Sequence, residues 1–404
     1  MATRPFIQGC LVALGLVSGF GCGPAWASEA AEEPRLDLGG AVRFNVGWRD
    51  YGDPAGNGDL DLELLRVDAK GARGPLFFSL QYRWYDGFDA VHHAWAGWRL
   101  DADRDLKLGI QQVPFGLLPY ASHSFWFGSG YYLGLEDDYD TGLVYRQAAG
   151  SHEFHAGLFL GDEYGDGARF DRYSFDLADD GNLRYRERER VNLRWARRFA
   201  NDGTSTEFGA SAFTGRVQDQ ASGRRHGHHG AALHLQHQRG AWTWQGQWAW
   251  YRYDVPGDRV ALSAFLFPFE VASEAHVLSA NAAWALPRSG WFDGITCYNN
   301  LSTTQGRGAG SGDSWQNVLG CSFAKGKSFT YVDLISGRNM WFIGGPGIAL
   351  DAPADPGEQF LFDAATDAVC KQGSIGHDDG GTASRVVNAL ESMVMAQKAK
   401  KAMV

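Results

Sequence analysis

The chain has 404 residues and a net charge of −10 at pH 7, with 53 Gly, 15 Trp, 15 Tyr and 25 Phe against 13 Pro. Its mean hydropathy is −0.30, and no apolar stretch reaches the roughly eighteen residues of a membrane helix, which excludes a helical inner-membrane protein. The acidic balance argues against nucleic acid as a partner. The cysteines beyond residue 27 are Cys297, Cys321 and Cys370, whose spacing excludes a zinc module.

The first segment reads as a targeting signal. Arg4 supplies a positive start, Cys10 to Val17 a short apolar run, and Ala25-Trp26-Ala27 a small-x-small cleavage site. Residues 1–27 are therefore expected to be a signal peptide, with export through the periplasm. Beyond it, period-two alternation recurs along the chain. Val42, Phe44, Val46 and Trp48 share one face, with Arg43, Asn45 and Arg49 on the other. Leu76 to Trp84, Leu106 to Ile110 and Leu278 to Leu286 repeat the pattern. In Ala241 to Tyr253, Trp242, Trp244, Trp248 and Trp250 oppose Thr243, Gln245, Gln247 and Tyr251.

The links between these runs alternate in length. Long ones fall near 51–59, 116–140, 162–181, 217–228, 254–273, 302–313 and 337–356, with short turns between them. A link at 86–89 is short where a long one is due. Long loops alternating with tight turns mark an outer-membrane barrel, whereas a soluble sandwich has no reason to produce them. The fold class expected is all-β: a transmembrane antiparallel β-barrel of about sixteen strands, spanning 28–366. Gln359 to Thr366 is the candidate closing strand, and 367–404 reads as a tail of loop and short helix. Cys297 and Cys321 fall on predicted neighbouring strands. A cross-strand bridge is open there, but two separate small lipid-facing residues is the preferred reading.

Asn182 to Phe199 carries the most functional information. Read as a strand, Arg184, Arg186, Arg188, Arg190, Arg194 and Arg198 share one face, opposite Leu183, Tyr185, Val191, Leu193 and Trp195. A lipid-facing Arg at the bilayer midplane costs about 2–4 kcal/mol, so this row is expected to line the lumen. Such a row attracts anions and offers them successive weak sites. Arg43, Arg66 and Arg83 fall on predicted inward faces as well. Two plainer readings stand beside this one: a helix with a solvated charged face, and arginines paired with lumen carboxylates for structure alone.

The aromatic and glycine-rich link 116–140 is too apolar for a free surface loop, and is expected to fold into the lumen as a constriction. Tyr120, His123, Trp126, Tyr131 and Tyr132 are its candidate lining residues. Glu136, Asp137, Asp138 and Asp140 offer calcium-type ligands, but at no known loop spacing, so a solvated or ion-paired cluster is expected. His226, His228, His229, His234 and His237 sit where alternate residues face opposite ways, which disfavours a metal site. No nucleophile, zincin or phosphate-loop motif is present. Neither catalysis nor a metal or cofactor is expected.

Taken with the exported start and the arginine strand, two stretches carry a family resemblance: Gln111-Gln112-Val113-Pro114-Phe115-Gly116, and Tyr331-Val332-Asp333-Leu334-Ile335-Ser336-Gly337. Over about residues 35–345 the chain resembles Gram-negative outer-membrane porins, especially the phosphate-selective group. That resemblance implies a sixteen-stranded barrel, usually a homotrimer, that works by diffusion without a cofactor. The link 116–140 departs from the group in holding neither Lys nor Arg. The function expected is a passive channel for small hydrophilic solutes with anions, possibly phosphate, preferred. The alternatives are a sugar or general-diffusion porin, a barrel enzyme, and a soluble periplasmic sugar-binding β protein.

Overall fold

The structure, a computed structural model, describes residues 34–286, 290–343, 345–351 and 359–372. The expected signal peptide, and the helix expected within the tail, lie outside the described residues. Sixteen antiparallel strands close into one barrel. In chain order its first seven are β1 (Arg35–Arg49), β2 (Leu60–Arg73), β3 (Leu76–Tyr85), β4 (Asp89–Arg99), β5 (Arg104–Gln112), β6 (Tyr139–Ala149) and β7 (His152–Gly161). A short inner strand, β8 (Asp176–Leu177), intervenes before β9 (Tyr185–Asn201), β10 (Thr204–Asp219), β11 (Arg225–Arg239) and β12 (Trp242–Tyr253). Two more inner strands, β13 (Arg259–Ala264) and β14 (Phe267–Ala272), precede β15 (Glu274–Leu286), β16 (Gly294–Gly306), β17 (Asp313–Lys325) and β18 (Ser328–Arg338). The inner β19 (Gly347–Ile348) and the closing β20 (Gln359–Gln372) complete the order.

Alternation sorts the side chains as a membrane barrel requires. Leu62, Leu108, Leu160, Leu193, Leu233 and Leu319 are each more than half exposed on the outer face. An apolar belt distributed around the whole wall is a surface for hydrocarbon and not for water. Toward the short-turn end, Trp242 stacks on Trp244 and Trp284, with ring centroids 5.8 and 5.7 Å apart. Amphipathic rings of this kind belong at a membrane interface.

β20 closes the barrel by pairing with β18 on one side and with β1 on the other, from Leu38 opposite Gln372 to Arg49 opposite Leu361. The strand runs six residues past Thr366, so Asp367 and Cys370 belong to the wall and not to a terminal loop. In the sequence only Phe360 and Phe362 mark an apolar face there. Two complete ladders hold the strand instead, because an open edge in lipid leaves backbone groups unsatisfied.

Two further findings differ from expectation. Cys297 and Cys321, directly opposite in the β16–β17 ladder, are joined in a disulfide; they are not two separate small residues. The long links also build a second sheet, ordered β19–β14–β13–β8. Its β13–β14 hairpin turns on Phe265 and Leu266, both left-handed with φ of 52° and 70°. Large residues rarely adopt that backbone. Here the Phe265 ring packs against Tyr85, Phe88 and Tyr173 at 5.3–5.8 Å, which offsets the strain. Leu177, Val260, Leu262, Val271 and Ile348 of this sheet are buried in one apolar core with Tyr131, Tyr132 and Phe159.

Candidate functional site: an inserted loop and its anchors

The segment 113–138 leaves β5, crosses to the far side of the barrel and is tied there by one inward-facing polar residue after another. Gly116 N donates to Ser211 Oγ of β10 at 3.0 Å, and Leu117 N to Gln247 Oε1 of β12 at 2.7 Å. Asn281 of β15 donates to the Ala121 carbonyl at 2.6 Å. The Asn300 side-chain amide of β16 lies 2.8 Å from the Ser124 hydroxyl. Gln316 of β17 donates to the Phe127 carbonyl at 2.7 Å. Asp333 of β18 accepts from Phe125 N at 3.2 Å, and Asp363 of β20 from Trp126 Nε1 at 3.0 Å. Buried backbone groups demand partners, and the wall supplies them in strand order. The loop is therefore inserted, as its aromatic composition led one to expect.

Its base requires glycine. Gly116 has φ of +62°, and a Cβ there would stand 2.3 Å from Gln247 Oε1. Gln247 also donates to Glu136 Oε1 at 2.6 Å, so one side chain holds both ends of the loop. Burial pushes the Glu136 carboxyl up to about 7, opposed by the Ala121 amide that donates to it. Asp137 is pushed up to about 6 by burial, opposed by the hydroxyl of Tyr173 at 2.6 Å.

The expected lining residues divide into two groups. Tyr120, His123 and Trp126 are half-buried. Desolvation pushes the His123 imidazole down to about 4. Tyr131 and Tyr132 lie on the single-turn helix α1 (Ser129–Tyr132) and are buried. Tyr131 stacks on Phe127 at 4.2 Å, and Tyr132 meets Phe342 at 4.4 Å. These two rings anchor the loop in the core.

The arginine row is not continuous. The β9–β10 ladder slips between Gly215 and Val217, so Arg190 opposes Gly215 while Glu187 opposes Val217. This bulge reverses parity: Tyr185 and Glu187 take the buried positions in place of Arg186 and Arg188. Arg188 instead bonds Gln218 at 2.8 Å, and Arg186 the Gly165 carbonyl at 3.4 Å. Arg184 precedes the strand and pairs with Asp179 at 3.3 Å. The expectation that all six share the lumen face is corrected for these three. At the strand's loop end, near the interface, an outward Arg costs only about 0–1 kcal/mol.

The inward arginines have structural partners. Arg190 contacts Asp138 and Asp140, each at 2.9 Å. Arg194 donates to the Gly116 carbonyl at 2.8 Å and to Glu207 at 2.9 Å, and Arg198 to Glu207 at 2.5 Å. Arg43 lies between Asp367 at 2.5 Å and Glu63 at 3.4 Å, and Arg66 meets Asp68 at 3.1 Å. Arg83 differs: it donates to Gln81 and to the Tyr85 hydroxyl, and lies 4.5 Å over the Tyr173 ring. Lys107 likewise sits 4.6 Å over the Trp95 ring. The histidines diverge: His228 stacks on Tyr253 at 3.9 Å, while His234 lies 3.4 Å from Glu207.

Sequence reasoning did not single out the wall residues that hold the loop, such as Gln247, Asn281, Asn300 and Gln316. The available signal was their place on the polar face of otherwise aromatic or aliphatic strands.

No protein-family model matches the chain, and no curated protein matches it. Solved structures do. The outer membrane channel DcaP of Acinetobacter baumannii superposes with a TM-score of 0.59 at 11% identity, over 86% of this chain and 99% of that one. An anion-selective porin from Comamonas acidovorans gives 0.57 at 13%, over 83% and 100%. The trimer form of OmpT from Vibrio cholerae gives 0.52 at 11%, over 84% and 100%. At such identities the likeness is one of fold, and it covers nearly the whole of each neighbour.

Proposed function

We propose that this chain is an outer-membrane porin: a passive diffusion channel for small hydrophilic solutes, with anions preferred. The observation that carries the reading is the combination of an apolar outer belt, a closed sixteen-strand wall and an aromatic loop tied across the interior. A loop held by so many wall residues restricts a passage permanently, which is the geometry of a size filter.

Support for anion preference comes from Arg83 and Lys107, whose contacts are neutral side chains and aromatic rings. Among the described residues no carboxylate is hydrogen-bonded to either cation, so each keeps more of its field than the paired arginines do, although Asp137 acts on Arg83 and Asp105 on Lys107. Of the loop's own acids, Glu136 is held toward protonation by burial and Asp138 is taken up by Arg190, which lessens their opposing field. Phosphate belongs to the same class of solute. Assembly as a homotrimer in outer-membrane lipid, after removal of residues 1–27, completes the reading; the trimeric Vibrio neighbour bears on the assembly.

A second reading, a channel for neutral solutes such as sugars, rests on the ion pairs. Arg43, Arg190 and Arg194 each face a carboxylate within 3 Å, which cancels much of the arginine field. Swelling of proteoliposomes in isotonic sugars and sugar acids tests both readings. Swelling that is faster with the sugar acids supports the first, and equal rates support the second. An absence of swelling with any small solute contradicts both.

A further inference from the structure

One buried cluster is unexplained by loop insertion. Asp138 ends the inserted loop, Asp140 is the second residue of β6, and Asp176 lies on β8 of the inner sheet. Carboxylate oxygens of these three lie within 4.8 Å of one another. Around them stand Asp162, Glu163 and Glu187, and all six side chains are less than one-tenth exposed. The cations set against them are Arg172, 3.0 Å from Asp162, and Arg190, 2.9 Å from Asp138 and Asp140. Six buried carboxylates therefore face two guanidinium groups. Removing that much uncompensated charge from water is costly unless something further neutralises it.

The oxygens themselves show where. Asp140 is wholly buried; its Oδ2 is 2.9 Å from Arg190, and its Oδ1 has no partner among the described residues. Asp138 Oδ1 is also without a hydrogen-bond donor, while Asp176 Oδ2 and Glu163 Oε2 have only the longer approach of Arg172, at 3.6 and 3.9 Å. Buried acceptors are rarely left so. One oxygen each from Asp138, Asp140 and Asp176, drawn from two separate segments and with negative charge in excess, is the core of a donor set for a hard cation, and Glu163 stands beside it. Calcium suits it better than magnesium, because calcium takes six to eight oxygens in irregular geometry whereas magnesium retains its waters.

We propose that Asp138, Asp140 and Asp176, with Glu163, form a divalent-cation site that takes Ca²⁺ and staples the inserted loop and the inner sheet to the barrel wall. The site is independent of which solute the channel passes. Histidine and cysteine take no part in it, so it disfavours zinc and copper. Its consequence is mechanical: without the ion, the loop end at Asp138 and the strand at Asp176 repel each other through facing carboxylates.

The test is ⁴⁵Ca²⁺ equilibrium dialysis of the full chain folded into detergent micelles free of lipopolysaccharide, which removes lipid-bound calcium. One Ca²⁺ per chain is expected, and Asp140→Asn and Asp176→Asn should each weaken its binding by about tenfold or more. No retained calcium, or retention unchanged in both variants, overturns the proposal and leaves shared protons as the neutralising agent. Should either variant fail to fold, the wild-type protein decides. EGTA should lower its thermal midpoint, and Ca²⁺ but not Mg²⁺ should restore it; a midpoint indifferent to EGTA overturns the site.

Discussion

Arg190 of the barrel wall lies 2.9 Å from Asp138, the last residue of the inserted loop before β6, and both side chains are almost wholly buried. The arginine that sequence marks as a hopping site for anions thus holds the loop in place. Removing one partner of a buried ion pair leaves the other as an uncompensated charge, at a cost of about 3–5 kcal/mol. Arg190→Ala should lose stability on that scale in urea titration of the micellar protein. Its single channels should also become noisier as the loop end works loose. Stability within 1 kcal/mol of wild type would contradict the anchoring role.

The loop base makes a second prediction. Gly116→Ala places a Cβ against Gln247 Oε1 and keeps an unfavourable positive φ, a strain of about 1–3 kcal/mol. Limited proteolysis should then cut within 113–138, where the wild-type loop is protected. Gln247→Ala should expose the same sites, because Gln247 holds Leu117 at one end and Glu136 at the other.

His123 gives the pH dependence. Its imidazole is pushed down to about 4 by desolvation, while in the unfolded chain it titrates near 6.5. Between those values the unfolded state binds the extra proton, so stability rises with pH across that window and is lost on acidification. His123→Gln should flatten this part of the stability profile. A His123 midpoint near 6.5 by NMR contradicts the desolvated, half-buried placement.

The disulfide is directly measurable. Cys297 and Cys321 should resist alkylation in the unfolded protein until reductant is added. The bridge closes a sequence separation of 24 residues, for which chain entropy gives a stabilisation of about 3 kcal/mol. Cys297→Ser with Cys321→Ser should lower the urea midpoint accordingly. Labelling of both cysteines without reductant contradicts the bridge.

The parts legible in sequence were those governed by period two and by link length. Trp242 and Trp244 announced one face of their strand and Leu278 one face of its own, and the short link read at 86–89 is found at 86–88. The link at 116–140 was marked as an insert by its aromatics, and the structure bounds it at 113–138. What stayed hidden depended on partners far away in the chain. Arg184 to Arg190 alternates Arg with Tyr and Glu, so a bulge within it leaves no trace in the pattern, and parity past it is set only by pairing with β10. The β13–β14 hairpin turns on Phe265 and Leu266 with no glycine or asparagine to signal it. Asp367 looked like tail, yet it is the carboxylate that meets Arg43 across the closing seam. The Asp138–Asp140–Asp176 cluster unites residues whose proximity only the folded inner sheet creates.

The most direct test of the channel and its preference is the zero-current potential of the folded protein in a planar bilayer under a KCl gradient. The account predicts stepwise conductance and a potential whose sign shows chloride preferred, diminished by Arg83→Ala together with Lys107→Ala. A cation-preferring potential, or a bilayer that remains silent with correctly folded protein present, would contradict it.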